Sequence, residues 1–255
     1  MTSPILELKN VSTAVNQGTA QETQILKQIN LQINQGDFIT VVGTNGAGKS
    51  TLFNVISGLL TVSAGQIFHN GQDITNMSEE QHTQFLSRVF QDPKMGTAPR
   101  MTVAENLLLA LKRGERRTLR SRHLKNYLPQ FKDLAASMNN GLEEHLNTAT
   151  GALSGGQRQA LSFLMAVLKR PDIILLDEHT AALDPHTSEA LLQATNQHIQ
   201  ADRLTALMIT HQLEDALQYG NRLLVLKDGQ VQADFSGSDK AQLTTEQLYD
   251  YFAEN

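Results

Sequence analysis

Two patterns of apolar residues divide this chain. FITVVG (38–43), DIILLD (172–177) and TALMIT (205–210) are continuous β-prone runs, as expected of strands covered on both faces. ILELKNVSTAV (5–15) and ILKQINLQI (25–33) alternate apolar and polar positions, and the first reads as an edge strand with one wet face. IFHNGQDI (67–74) places Asn70-Gly71 between two short runs, and LLVLKDGQVQADF (223–235) does the same with Asp228-Gly229. Both are type I′ hairpin signals. From about 76 to 170 most periodic segments read as helices. Ser78 with Gln81, Thr102 with Glu105 and Thr244 with Gln247 have the spacing of helix-start caps. The pattern predicts an α/β fold: a β-rich start, an α/β core, and a helical insertion near 85–160 inside that core.

Composition narrows the class. The chain has 255 residues, 40% hydrophobic and 18% charged, enough for a globular core. A net charge of −5 argues against non-specific binding to DNA or RNA, which needs an electropositive surface, and leaves room for a local basic groove. There are no cysteines, so disulfides, Cys-ligated zinc and iron–sulfur clusters are excluded. MTSPILELKN lacks the cationic and long apolar segments of a secretory signal, and no stretch approaches the ~18 apolar residues of a membrane span. The basic run KRGERRTLRSRHLK (112–125) reads first as a solvated face, and secondly as a contact for a partner or lipid headgroups.

GTNGAGKST (43–51) fits G-x-x-x-x-G-K-[ST] in full, between a buried strand and an apolar-periodic helix. Gly43, Gly46 and Gly48 let backbone N–H groups turn toward phosphate oxygens. The helix that follows offers unpaired N–H groups and its positive dipole end to the same anion. Lys49 adds a mobile cation near the β/γ-phosphates, and Ser50 offers a hydroxyl to Mg²⁺. No Asn-Lys-x-Asp segment supports a guanine reader.

LLDEHTAALD (175–184) sets Asp177, Glu178 and His179 side by side after an apolar run. At the end of a second strand near a phosphate loop, Asp177 suits Mg²⁺, directly or through water. Glu178 is placed to orient or deprotonate an attacking water. Adjacent side chains of an extended chain diverge, so His179 is not expected to share an ion with Glu178. Its direct succession to Glu178 also fails the spacing of a DExH helicase. LSGGQ (153–157) begins another helix, with Ser154 as candidate N-cap and Gly155-Gly156 leaving open backbone for an anion. One nucleotide does not readily use two such sites in one domain. The economical arrangement has one copy's LSGGQ closing over the γ-phosphate held by another.

From about residue 5 to 235 the chain resembles the ATP-binding subunit of a bacterial ABC transporter. GTNGAGKST resembles Walker A, LSGGQ the signature, and IILLDE the Walker B strand with its catalytic glutamate. The resemblance implies a phosphate-loop NTPase core with an antiparallel β subdomain (5–90 and 160–235), an inserted α-helical subdomain (about 91–160) and a C-terminal helical extension (236–255). It implies ATP and Mg²⁺ as cofactors. Gly43, Asn45, Gly46, Gly48, Lys49, Ser50 and Thr51 would hold nucleotide, as would Ser154, Gly155, Gly156 and Gln157. Ser50, Gln91 and Asp177 would serve Mg²⁺. Glu178 would be the base, Gln91 in VFQDP the Q-loop sensor, Asp184 in AALD a D-loop residue working across the dimer, and His211 in MITHQ the switch histidine. The expected partners are a second copy, transmembrane permease subunits and, indirectly, a substrate-binding lipoprotein, with the chain peripheral on the cytoplasmic face of the membrane.

Two positions depart from the family pattern. Val15 stands where the family often has an adenine-stacking aromatic, and His179 where most members have proline. FQDPKMGTAPRMTVAEN with DEHTAALDP resembles an importer branch associated with lipoproteins for tryptophan, tyrosine or related small solutes. His69, His82, His123 and His198 carry no motif and read as surface residues. The alternative function is a soluble ABC-type ATPase acting on nucleic acid or in translation. Repair and chromosome members carry long coiled coils and translation members two cassettes; neither feature is present here.

Overall fold

The computed structural model describes residues 3–15, 22–115 and 122–252. The chain forms two compact units, residues 1–86 with 203–255 and residues 87–202. The first begins with β1 (Leu6–Val15), β2 (Thr23–Ile33) and β3 (Phe38–Gly43). It continues through α1 (Lys49–Ile56), β4 (Ala64–His69), β5 (Gln72–Asp73) and α2 (Glu79–His82). The second runs from β6 (Leu86–Val89) through α3 (Val103–Leu111), α4 (Leu128–Ala136), α5 (Gly155–Val167), β7 (Ile173–Asp177) and α6 (Pro185–Ala201). The chain returns to the first unit with β8 (Thr205–Ile209), α7 (Leu213–Gln218), β9 (Arg222–Lys227), β10 (Gln230–Ser236), α8 (Gly237–Ala241) and α9 (Thr245–Phe252).

The first unit carries an antiparallel sheet ordered β2-β1-β4-β5. Its other strands are ordered β10-β9-β3-β8, with β3 parallel to both β8 and β9 and β10 antiparallel to β9. β3 is buried up to Gly43, as its unbroken apolar run predicts. β1 pairs on both sides and is therefore an inner strand, not the edge its alternation suggested. Alternation reports one wet face of a sheet; it does not report the number of neighbours in the plane.

Both hairpin signals hold. Asn70 and Gly71 have φ of 49° and 79°, and Asp228 and Gly229 have 50° and 78°, the left-handed pair that a type I′ turn requires. Ser78–Gln81 and Thr102–Glu105 form reciprocal capping boxes. Thr244 and Gln247 exchange the same two bonds ahead of α9.

In the second unit β7 and β6 are neighbours. β6 corrects the reading of this region as helical, because LSRV is too short for its period to be decisive. Ile173, Ile174, Leu175 and Leu176 are fully buried in β7, and truncating one to alanine is expected to cost about 2–5 kcal/mol. This anchorage fixes the backbone that delivers Asp177 at the strand end.

Three of the motif-free histidines are not simple surface residues. His82 is buried, its Nδ1 is 3.0 Å from the Ile56 carbonyl, and burial holds its pKa below the ordinary value. His69 stacks on Phe85, with ring centroids 3.9 Å apart. His198 is half-buried, 2.8 Å from the Ser137 hydroxyl and edge-on to Phe163. His123 is exposed. Residues 116–121 of the basic run lie outside the described residues.

Candidate functional site

The residues singled out by sequence divide between the two units. Gly43, Asn45, Gly46, Gly48, Lys49, Ser50, Thr51 and His211 belong to the first. Gln91, Ser154, Gly155, Gly156, Gln157, Asp177, Glu178 and Asp184 belong to the second.

In the first unit, β3 delivers the chain into an exposed loop at Thr44, Asn45 and Gly46. A turn bond from Ala47 N–H to the Thr44 carbonyl (3.1 Å) closes it. Gly48 has φ 100° at the start of α1, a backbone state that side-chain-bearing residues rarely adopt. No side chain caps this helix start. Its first-turn N–H groups point where an anion is favoured by both hydrogen bonding and dipole. Lys49 is only 6% exposed, and its ammonium donates to the carbonyls of Gly43 (2.7 Å) and Thr44 (3.1 Å). The loop thus already holds a cation against its own backbone. Ser50 is exposed at the same helix end. His211 is exposed just beyond β8.

In the second unit, α5 starts differently. The Ser154 hydroxyl accepts from Gln157 N–H (3.2 Å), and the Gln157 side chain accepts from Ser154 N–H (3.3 Å). The helix start that sequence reading left open is therefore partly satisfied from within its first turn. A Cβ on Gly156 would meet the Thr187 methyl of α6, so this residue must be glycine to let the two helices approach. Asp184 caps α6 by accepting from Thr187 N–H (3.1 Å). Hydrogen bonding by Thr187, through its side chain and then its backbone, holds the Asp184 carboxyl below the ordinary carboxylate range.

Glu178, just past β7, has φ 45°. A left-handed conformation at a residue with a side chain stores backbone strain of about 1–2 kcal/mol. Its neighbour His179 is buried at 2% exposure, and burial pushes its pKa down to about 4, so it is neutral near pH 7. The two side chains have opposite environments, Glu178 partly exposed and His179 enclosed. Gln91 is exposed directly after Phe90, whose carbonyl accepts from the Gln159 side chain of α5 (2.9 Å).

Sequence reading missed three residues in this unit: Arg88, Gln159 and Thr187. Arg88 donates from Nη2 to Asp177 Oδ2 at 2.5 Å. The signal available for it was a single cation in the otherwise uncharged segment FLSRVF. Gln159 had no signal, because Phe90 is remote in sequence; Thr187 bonds the nearby Asp184, but its contact with Gly156 joins distant segments.

Among the described residues no group of three or more His, Asp or Glu side chains could hold a metal by itself. The donor set proposed from sequence is a hydroxyl, an amide oxygen and a carboxylate. These hard oxygen donors fit Mg²⁺, which takes few protein ligands and completes its shell with water and phosphate. The guanidinium on Asp177 shows that this carboxylate already accepts a cationic partner.

Comparison with known proteins bears on the class. The family model described as ABC transporter matches residues 26–181. A tyrosine transport ATP-binding protein of Clostridioides difficile is 43% identical over 250 residues, covering 97% of this chain and 98% of its own. A phosphonates import ATP-binding protein of Trichodesmium erythraeum is 33% identical, covering 91% and 92%. A dimeric post-hydrolysis structure of an ATP-binding cassette bound to ADP and Pi is 28% identical, with TM-score 0.77 over 91% of this chain and 98% of that one. The ADP conformation of a cassette of an ABC transporter is 25% identical, with TM-score 0.78 over 99% and 100%. The chain belongs to the ABC transporter family, among the ATP-hydrolysing subunits that drive transport. Its fold is that of an ABC ATPase.

Proposed function

We propose that this chain powers import of tyrosine or a related small amino acid through a membrane permease. The relative named for tyrosine transport, matched along nearly the whole of both chains, carries this reading. Among the described residues no helix is long and apolar enough to cross a membrane, which accords with a peripheral subunit docked on permease partners at the cytoplasmic face. A binding lipoprotein would supply the solute from the other side.

In this reading two copies close around two ATP molecules. Gly43 to Thr51 cradle the phosphates by backbone N–H groups, and Lys49 leaves its two loop carbonyls for the β/γ-phosphate oxygens. Ser154 to Gln157 of one copy face the γ-phosphate held by the other. Ser50, Gln91 and Asp177 would hold Mg²⁺, which would supply positive charge to offset that of the phosphates. Glu178 orients and deprotonates the attacking water, His211 contacts the γ-phosphate, and Asp184 acts across the dimer. Closure must favour one permease state by several kcal/mol to shift its population substantially.

Two measurements test the proposal. A strain lacking the gene should lose high-affinity uptake of labelled tyrosine, regain it with the wild-type gene, and not regain it with Glu178→Gln. Undiminished uptake in the deletion strain would sink the amino-acid assignment. Purified Glu178→Gln should retain ATP, accumulate as a dimer, and lose about 10²–10⁴ in turnover, the usual contribution of a general base. Normal hydrolysis would remove Glu178 from that role.

A further inference from the structure

The pairing of Arg88 with Asp177 has a functional reading that the motifs do not contain. Arg88 lies in β6 and Asp177 ends β7, adjacent strands of one unit. Nη2 and Oδ2 are 2.5 Å apart, and the side chains are only 11% and 13% exposed. The guanidinium carbon also sits 5.0 Å from the centroid of the Phe90 ring, which backs one face of the cation. Phe90 is tied in turn to α5 through its carbonyl and Gln159. The guanidinium is therefore positioned by strand, ring and carboxylate together.

A poorly solvated carboxylate needs a cation, and an unpaired one is strongly unfavourable. Arg88 supplies that cation to Asp177. A divalent ion arriving at the same carboxylate meets a positive charge already in place. Like charges a few ångströms apart in a partly buried setting repel by more than thermal energy.

We infer that Arg88 is a built-in stand-in for the metal: it neutralises Asp177 in the nucleotide-free chain, yields the carboxylate when Mg²⁺–nucleotide binds, and so sets the Mg²⁺ concentration the site requires. Arg88 is in these terms a positioning residue, acting through Asp177. The inference rests on Asp177 being a metal ligand, as proposed above.

The test uses the full chain saturated with a non-hydrolysable ATP analogue and titrated with Mn²⁺, the free ion being followed by its paramagnetic resonance. Arg88→Met should bind Mn²⁺ about tenfold more tightly than wild type, the effect of removing one repulsive charge. Arg88→Lys should stay near wild type, because it keeps the charge. Unchanged or weaker binding by Arg88→Met would overturn the inference. Asp177→Asn separates the two layers. If it binds Mn²⁺ like wild type, the metal-ligand reading fails and takes this inference with it. If it loses Mn²⁺ while Arg88→Met is unchanged, only the Arg88 inference fails. A second measurement needs no variant that might misfold: the ¹⁵N guanidinium resonance of Arg88 in the wild-type chain should shift on adding Mg²⁺ with the analogue. A resonance that is the same with and without metal would overturn the stand-in role.

Discussion

Gly156 and Thr187 meet at the starts of two helices: a Cβ on Gly156 would lie 2.4 Å from the Thr187 Cγ2 methyl. Thr187 also bonds Asp184, so the contact joins the start of α5 to the cap of α6. Gly156→Ala should therefore destabilise by about 1–3 kcal/mol through overpacking. Thr187→Ser removes the obstructing methyl and keeps the hydroxyl and N–H, and should cost little alone. Combined, the two changes should restore most of the lost stability in thermal unfolding. Simple additivity would show that the contact is not what forbids a side chain there.

Glu178 offers a test of stored strain. Its φ of 45° is a region glycine enters freely. Glu178→Gly and Glu178→Ala both remove the carboxylate, so their difference isolates the backbone. Glycine should be the more stable of the two by about 1 kcal/mol in denaturant titration, despite its larger entropy loss on folding. An alanine variant equally stable would mean the segment relaxes without cost.

Lys240 gives a pH dependence. It is 5% exposed, and its ammonium donates to the carbonyls of Tyr219 and Gly220 just past α7. Burial brings its pKa down to about 8, against about 10.4 for an unfolded lysine. Between those values the unfolded chain binds the extra proton. Stability should therefore rise with pH from about 8 to about 10.4, and this group should contribute no pH dependence below about 8. Lys240→Met should lack this limb. Denaturation midpoints taken across the window decide it; parallel curves for the two proteins would contradict the assignment.

Val15, 37% exposed, stands where the resemblance read from the sequence would place an adenine-stacking ring. The loss of one stacking contact is worth about 0.5–1.5 kcal/mol, up to about tenfold in affinity. ATP should still bind through its phosphates, with GTP competing within about that factor. Val15→Tyr should tighten ATP by a similar amount. Strong preference of the wild-type chain for ATP over GTP would show that other residues read the base.

What the sequence made legible were features whose cause is local. A continuous apolar run announces β3, paired turn residues announce both hairpins, and hydroxyl–amide or hydroxyl–carboxylate spacing announces the caps. The family match likewise rests on contiguous motifs. The missed features are those made by approach of distant segments. Arg88 and Asp177 are 89 residues apart, and nothing in either stretch names the other. His82 lacks a motif because its burial is decided by packing against Ile56 and Gly58. β6 is hidden among helical segments because four residues do not complete a period. The strained φ of Glu178 is invisible in its identity, since residue type alone predicts the opposite conformation.

The self-capped start of α5 separates two properties that usually fail together. Aspartate caps a helix as well as serine does and is favoured by the dipole at that end. Ser154→Asp would therefore leave each chain as well folded as before. On the proposed reading it would also set a negative charge against the triphosphate held by the other copy. Such a subunit would be abundant, soluble and able to load ATP, yet unable to complete a pair. In a cell that also made the normal chain, it would load nucleotide alongside its normal counterparts and leave transport to those that can still close.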